Sequence, residues 1–299
     1  MFINHSTAVT FITDKIRPLL LFSMDCLSKK RRKLNPFEDD ETYLNNLRIK
    51  EKDFHKSLMV HKDIYKYVRD SNWSLIIDWM IEICEEADFL QDTLFLSFHI
   101  ILHYLSRAGY EEKNIQLNAS NAISLASKVR EISGNHRSLK EFVCKGLFTQ
   151  EELSKNEYRL CNIIEWKIEM PTEIDFLLEY GKHCTEDERF FAMFIIEKTF
   201  HNNFLVKRML PSFKVACALF LTSIYYDNFE VWTIDLQQKL SYSKKEIFQY
   251  SQYMNNYLLN EQDKRDKGNI EEKCVPNVCF QKYSKVINLI RFKNLTFCV

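Results

Sequence analysis

The chain of 299 residues is long enough for one large domain or two of ordinary size. Hydrophobic residues make up 46% and charged residues 27%, the balance of a folded globular protein, while five glycines and five prolines leave little room for Gly-rich phosphate loops and favour long helices. The formal net charge is zero, which argues against a nucleic-acid binder, because such proteins usually carry a basic excess.

Residues 1–40 differ from the rest of the chain in their charge pattern. A basic run is followed by an acidic run at residues 38–41, and such switching blocks are typical of a solvated, mobile tail. Met24 leaves open whether translation starts there or at residue 1. The basic run is either a nuclear localisation signal, which predicts a protein of the nucleus and the cytoplasm, or a solvated charge cluster. It consists of Lys29, Lys30, Arg31, Arg32 and Lys33.

Helical signals dominate from residue 41 onward. Apolar residues recur at helical spacing, first at Leu75, Ile76, Trp79 and Ile83 and again across residues 117–129. No alternating apolar pattern persists long enough to predict a strand. Three capping boxes, in which a hydroxyl residue precedes an acid by three positions, predict helix starts. They are Thr149 with Glu152, Thr185 with Glu188, and Ser243 with Glu246.

An internal repeat divides the helical part of the chain. Residues 148–152 (FTQEE) and 242–246 (YSKKE) each combine an aromatic residue, a hydroxyl cap and an acid, and each follows an apolar helix rich in small residues. The two copies lie about 93–94 residues apart, which indicates duplication of one helical unit. The residues alone therefore predict an all-α protein of two tandem bundles that join near Pro171.

Neither a membrane span nor a catalytic motif is predicted. The apolar stretches at 89–105 and 210–226 contain charged or polar residues such as Asp92 and Lys214, as buried amphipathic helices do. Nine cysteines without a CxxC pair fit reduced core thiols of an intracellular protein. There is no nucleophile–base pair, Gly-rich loop or metal-ligand motif, so we expect no catalytic residue, cofactor or metal site.

Six segments, in their order and spacing, resemble the cyclin family across residues 41–290. The first, NWSLIIDWMIEICEE at 72–86, is similar to the opening helix of the cyclin box. The others are TLFLSFHIILHYLS at 93–106, IQLNASNAISLASKVREI at 115–132, FTQEELSKNEYRLCNIIEWKIEMPTEIDFL at 148–177, the Pro-Ser helix at 210–226 and QKYS at 281–284. The resemblance implies two tandem five-helix bundles preceded by an N-terminal helix. It assigns residues 41–170 to that helix and the first cyclin box, and residues 171–299 to the second box and a C-terminal segment.

The resemblance implies a regulatory protein and not an enzyme. Cyclins dock beside the mobile αC helix of a cyclin-dependent kinase and push it inward, so that its Glu pairs with the Lys that aligns ATP. In the family a Lys and a Glu make key polar contacts to that helix, and they match Lys128 and Glu157. Without the resemblance, each would be an ordinary exposed helix residue. Further kinase-binding matches, of which the apolar ones fit a core position equally well, are Leu125, Val129, Glu131, Cys161, Ile164 and Trp166.

The resemblance also implies a docking patch on the opening helix for RxL-type peptides of substrates or inhibitors. It would be an apolar groove with an acid for the Arg of the peptide. A Met of the family is Asn72 here, which leaves the docking affinity open. As a sequence pattern alone, the apolar positions are a core stripe. The patch residues are Leu75, Ile76, Trp79, Glu82, Ile115 and Gln116.

Two departures from the family pattern concern residues that normally pair with each other. Trp73 replaces an Arg, and Leu102 replaces the Asp of the same buried ion pair. Because an apolar pair can replace a buried ion pair at little cost, we expect the fold to persist and the two side chains to touch. The segment LRIKEKDF at 47–54 resembles cyclin E more than the A and B types, which gives a weak indication of a G1/S cyclin.

Three other functions remain open. A transcription cyclin would activate a kinase of RNA polymerase, although QKYS and the docking patch argue against it. A cyclin-fold transcription factor would bind promoter DNA and would need a basic face, which a neutral chain does not favour. A helical scaffold would bind no kinase. The expected partners are a cyclin-dependent kinase and RxL-type peptides, with neither nucleic acid nor membrane, and the sequence does not name the kinase.

Overall fold

The computed structural model describes residues 40–59, 70–131, 148–266, 278–288, 290 and 292–295, and all regular structure in these ranges is helical. Two short 3-10 helices occupy Glu112–Asn114 and Phe229–Trp232. The α-helices are α1 Asp40–Met59, α2 Asp70–Glu86, α3 Gln91–Ala108, α4 Ile115–Arg130, α5 Gln150–Ile163, α6 Glu173–Tyr180, α7 Glu186–Thr199, α8 Asn203–Arg208, α9 Pro211–Tyr225, α10 Ile234–Lys239, α11 Lys244–Asp266, α12 Val278–Lys282 and α13 Ser284–Ile287.

The predicted pair of helical bundles is confirmed. In the first, α3 is buried along most of its length and packs against α2, α4 and α5. In the second, α9 is buried from Pro211 to Ser223 and packs against α6, α7 and α11. The repeat is preserved as well, because α4 packs against α5 as α9 packs against α11. A further helix that the five-helix pattern requires between α4 and α5 would lie outside the described residues.

The helix starts follow the predicted capping chemistry. The Thr149 backbone N–H donates to Glu152 Oε2 at 2.7 Å, and the Glu152 N–H donates to Thr149 Oγ1 at 3.2 Å. The other two predicted boxes, at 185–188 and 243–246, show the same reciprocal bonds. Pro211 is the first residue of α9, where a missing N–H costs nothing.

The end of α7 enters the first bundle and joins it to the second. Phe200 lies against the rings of Phe95 and Phe98, with centroids 5.6 and 4.6 Å away. Its carbonyl accepts a hydrogen bond of 2.7 Å from Trp73 Nε1 on α2. Trp73 and Leu102 are both buried, as their replacement of an ion pair requires. The expected contact between these two side chains remains a prediction.

A buried carboxylate contacts both sides of the same junction. Glu173, at the start of α6, accepts a hydrogen bond of 2.8 Å from Lys214 Nζ and lies 2.8 Å from His99 Nε2 of the first bundle. Burial alone would raise the pKa of Glu173, but attraction to His99 and Lys214 holds the pKa at about 2. The carboxylate is therefore ionised at neutral pH inside the protein.

The QKYS segment supplies a second buried network. Lys282 Nζ contacts Glu85 of α2 at 2.7 Å, Gln91 of α3 at 2.7 Å and Glu197 of α7 at 3.0 Å. Burial alone would lower the pKa of Lys282, but the carboxylates of Glu197 and Glu85 raise it above its usual value. Tyr283 adds a hydrogen bond of 3.1 Å to Glu197. The motif therefore ties both bundles together from the C-terminal end.

Helix α1 spans the two bundles. Arg48 donates to the Tyr180 hydroxyl at 3.2 Å, and Glu51 accepts from the Ser212 backbone N–H at 3.1 Å, so that it caps α9. Burial raises the pKa of Glu51 to about 7. Phe54 reaches the first bundle, where its ring meets His103 edge-on at 4.9 Å. None of the described helices is long and apolar enough to cross a membrane.

We predict that Glu173→Gln destabilises the protein by about 3–5 kcal/mol, because it leaves the buried Lys214 charge without its counter-ion. The wild-type contribution of this carboxylate is present above its unfolded pKa of 4.5 and is lost as pH falls towards 2. Denaturant melts at several pH values measure both effects.

The control for this substitution is Glu179→Gln on the same helix. Glu179 pairs with Lys182 at the surface, at 2.8 Å, so this variant should lose no more than about 1 kcal/mol. Equal losses in the two variants would contradict a special role for the buried pair.

Candidate functional site

Lys128 and Glu157, the two residues matched to kinase contacts, meet on one surface. Lys128 lies in the last turn of α4 and Glu157 in the middle of α5, and Lys128 Nζ is 2.5 Å from Glu157 Oε1. Ser124 donates to the other carboxylate oxygen of Glu157 at 3.0 Å. The Lys128 side chain is 56% exposed and that of Glu157 26%. Both charges can therefore reach polar main-chain groups of a partner.

Exposed apolar side chains flank this ion pair in the chain. Seven large apolar residues are exposed in the described part of the chain, and three of them belong to the end of α4, to α5 and to the turn after α5. They are Val129, Tyr158 and Trp166, with exposures of 37%, 64% and 59%. Tyr158 and Trp166 contact edge to face, with centroids 6.3 Å apart. Such a grouping is typical of a protein-binding surface.

Three of the matched apolar residues belong to the core. Leu125, Cys161 and Ile164 are buried beneath this surface. Burial raises the pKa of the Cys161 thiol, which keeps it protonated at neutral pH. Their structural role is to hold α4 and α5 together, so that the exposed ion pair has a rigid support.

Glu131 has an internal role. Its Oε1 accepts hydrogen bonds from the Leu90 N–H at 2.8 Å and from Thr93 Oγ1 at 2.5 Å, and the residue is buried. Leu90, the N-cap residue of α3, has no side-chain cap, and the carboxylate satisfies its backbone N–H and interacts favourably with the positive end of the helix dipole. The structure thus gives this acid an intramolecular partner rather than an exposed position beside Lys128.

The matched docking patch lies where α2 packs against α4. Four of its side chains are half-buried and reach the surface, while Ile76 and Ile115 are buried. The half-buried residues are Leu75, Trp79, Glu82 and Gln116. The side chain of Asn72 and the basic run at 29–33 lie outside the described residues.

The sequence interpretation missed Tyr158. Buried residues of α5 form a stripe through Asn156, Leu160 and Cys161, and Tyr158 falls outside it. An aromatic residue on the polar side of an amphipathic helix was the available signal. The contact of Arg107 with Glu165, at 2.5 Å, was also missed, because nothing in the sequence relates residues 58 positions apart.

Family models match most of the chain. A model described as "Cyclin, N-terminal domain" matches residues 42–169, and one described as "Cyclin, C-terminal domain" matches residues 171–286. The two matched ranges meet at Pro171, and the Lys128–Glu157 pair and the α2 patch fall within the first.

Curated relatives are similar at low identity. Cyclin-B2-2 of Oryza sativa subsp. indica is 26% identical over 60% of this chain and 43% of its own length. G2/mitotic-specific cyclin-2 of Medicago sativa is 24% identical over 60% and 56%. G2/mitotic-specific cyclin-A of Spisula solidissima is 26% identical over 56% and 40%. The chain thus spans roughly half the length of these relatives.

A solved structure has the same fold. The X-ray structure of a viral cyclin from herpesvirus saimiri superposes with a TM-score of 0.50 at 22% identity, over 66% of this chain and 92% of the viral chain. The likeness covers nearly the whole viral protein and shows that the two-bundle architecture is shared.

Proposed function

The chain belongs to the cyclin family, and we propose that it binds and activates a cyclin-dependent serine/threonine kinase as its regulatory subunit. The observation that carries this proposal is the exposed Lys128–Glu157 pair in the company of Val129, Tyr158 and Trp166. The kinase would supply all catalytic groups, and the contribution of this chain would be binding energy.

The mechanism is a shift between two states of the kinase. Lys128 can donate to a carbonyl and Glu157 can accept from an N–H at an end of the kinase αC helix, while the aromatic residues cover apolar side chains of that helix. Binding activates only to the extent that the inward position of the helix gains more contacts than the outward one. A rigid support under Lys128 and Glu157 helps the protein to bind the inward position of the kinase helix more tightly than the outward one.

The cell cycle is the proposed setting. The relatives are named as A-type, B-type and mitotic cyclins, which favours a cell-cycle role over activation of an RNA polymerase kinase. Promoter binding would need a basic face, and the neutral chain does not favour it. The E-like character suggested by residues 47–54 remains a prediction.

Substrate recruitment through α2 is the second part of the proposal. Leu75 and Trp79 offer a partly exposed apolar wall, and Glu82, half-buried on the same helix one turn after Trp79, offers a charge for an arginine. An RxL-type peptide combines both features. The patch lies at α2 and the start of α4, whereas Lys128 lies in the last turn of α4, so a substrate and a kinase would bind at different places.

The nucleus is the proposed location, through the basic run at residues 29–33. Replacing all five residues with Ala should move a tagged protein towards the cytoplasm in cells. The variant is made in a background without kinase binding, to prevent entry together with the kinase. A matched replacement of the acids at 38–41 is the control, and an unchanged nuclear fraction would contradict the signal.

We predict that Lys128→Ala and Glu157→Ala each remove charge-assisted hydrogen bonds worth about 1.5–3 kcal/mol. Affinity for the kinase should fall roughly ten- to a hundredfold in each variant. The double variant should lose less than the sum, because the two residues share one network. The kinase is first identified by pull-down from cells, and binding is then titrated with purified proteins.

Lys264→Ala is the control for these variants, since Lys264 is an exposed lysine paired with Glu261 at 3.1 Å on α11. It should bind as the parent does. Thermal melts should change little in all of them, because none of these side chains belongs to the buried core. Full binding and activation by the double variant would refute the kinase-binding proposal at its centre.

We predict that Leu75→Glu weakens binding of an RxL-type peptide at least about tenfold, because a carboxylate then lies in the apolar groove. Fluorescence polarisation with a labelled peptide measures the affinity. Ile49→Glu, at an exposed apolar position on α1, is the control. Kinase activity towards a substrate without the motif should not change. Equal peptide affinity in both variants would exclude this groove.

A further inference from the structure

The turn after α5 contains the unusual backbone on which this inference rests. Glu165 and Trp166 have φ values of 55° and 59°, in the left-handed region that favours glycine. Two such residues in succession, neither of them Gly or Asn, are strained and persist only where their surroundings hold them. The contacts that hold these two residues therefore indicate the function of the turn.

Arg107 of α3 adds a side-chain support to the backbone hydrogen bonds that close the turn. Its guanidinium donates to Glu165 Oε1 at 2.5 Å, and Lys167 Nζ lies 2.7 Å from Oε2. The hydrogen bonds from Arg107 and Lys167 lower the pKa of Glu165 to about 2, so the carboxylate stays ionised. Lys167 belongs to the turn itself, whereas Arg107 lies on α3. Of the two cations, Arg107 is therefore the one that connects the turn to the bundle.

His103, on the same helix, positions Arg107. Arg107 Nε donates to His103 Nε2 at 3.1 Å, which requires an unprotonated nitrogen. Burial, together with the charge of Arg107, lowers the pKa of His103 to about 4, so the ring is neutral and accepts this bond. Phe54 of α1 covers the His103 ring at 4.9 Å. Glu165 is thus connected to α3 and, through Phe54, to α1.

Trp166 is the large side chain that the turn exposes to solvent. Its backbone N–H donates to the Cys161 carbonyl at 2.8 Å, and its indole N–H donates to Asn162 Oδ1 at 3.1 Å. The ring is 59% exposed and meets Tyr158 edge to face. An exposed aromatic ring that is already held in place loses little conformational entropy when a partner covers it.

We propose that Arg107 is a positioning residue for partner binding: through Glu165 it holds the left-handed turn, so that Trp166 and Tyr158 form a preorganised aromatic anchor beside the Lys128–Glu157 pair. The fitting partner is an amphipathic helix that offers an aliphatic side chain to the aromatic pair and main-chain polar groups to the ion pair. This inference rests on the proposed binding of a kinase, whose αC helix is the expected partner.

The first test needs no kinase. The protein is labelled with 5-fluorotryptophan, and the Trp166 signal in the 19F NMR spectrum is assigned with Trp166→Phe. Arg107→Met should narrow and shift this signal, because the ring becomes mobile, while thermal melts change little. Lys182→Met, which breaks the surface pair with Glu179, is the control and should leave the signal unchanged. An unchanged Trp166 signal in Arg107→Met would overturn the proposal.

The second test is a double-mutant cycle on kinase binding. Arg107→Met should weaken binding about tenfold in the parent protein and should have almost no effect in the Trp166→Ala background. Equal loss in both backgrounds would mean that Arg107 does not act through Trp166, which overturns the proposal. If Arg107→Met fails to fold, Glu165→Gln replaces it, because that residue is exposed.

Failure of the two proposals can be told apart. A parent protein that recovers no cyclin-dependent kinase in the pull-down refutes kinase binding, while the 19F experiment still measures whether Arg107 holds Trp166. A parent that binds its kinase, with a double-mutant cycle that shows no coupling, refutes the positioning role alone.

Discussion

Buried charged side chains with partners in both bundles are the constraint on which the rest of the structure depends. Desolvating a carboxylate is costly, and only a well-placed partner offsets that cost. Glu173 pairs with Lys214 inside the second bundle and contacts His99 of the first, and Lys282 contacts carboxylates of both bundles. Apolar packing tolerates small displacements, whereas these directional contacts break when either bundle shifts. We infer that the charges fix how the bundles are placed, while Phe200 adds aromatic contacts across the junction.

A fixed junction also determines the surfaces of the first bundle. Helix α1 contacts the second bundle through Glu51 and the first through Phe54, so it acts as a strut between them. Phe54 packs against His103, and His103 accepts a hydrogen bond from Arg107, which supports the turn after α5. The candidate binding surface is therefore held from beneath by buried residues and from the side by α1, which lowers the entropy that binding must remove.

The helix starts were predictable because they depend on neighbouring residues. Contacts between residues far apart in the chain were not predictable from the sequence. The three capping boxes and Pro211 depend on residues within one turn, so the sequence predicts them directly. The approach of Lys128 to Glu157 was predicted from the resemblance alone. In contrast, the Trp73 indole bonds to a carbonyl 127 residues away, and Lys282 contacts Gln91 from 191 residues away. Glu131 was matched to a kinase contact through the resemblance, whereas here its carboxylate bonds to Leu90 and Thr93 at the start of another helix, 41 and 38 residues away.

The backbone at Glu165 and Trp166 ends α5 with two left-handed residues, and contact with a partner can offset the strain of that ending. The link between α5 and α6 needs a turn, and Gly or Asn would form a left-handed turn without steric conflict. The chain instead has a large aromatic residue there, exposes its ring and restrains the preceding carboxylate with two cations. Exposed aromatic surface and strained backbone both work against the stability of the isolated protein. Departures from locally favourable choices are expected at functional sites, where binding energy offsets them. Because Trp166 contacts Tyr158, which directly follows Glu157 in the chain, their coincidence supports a binding role for the turn in addition to its role in ending α5.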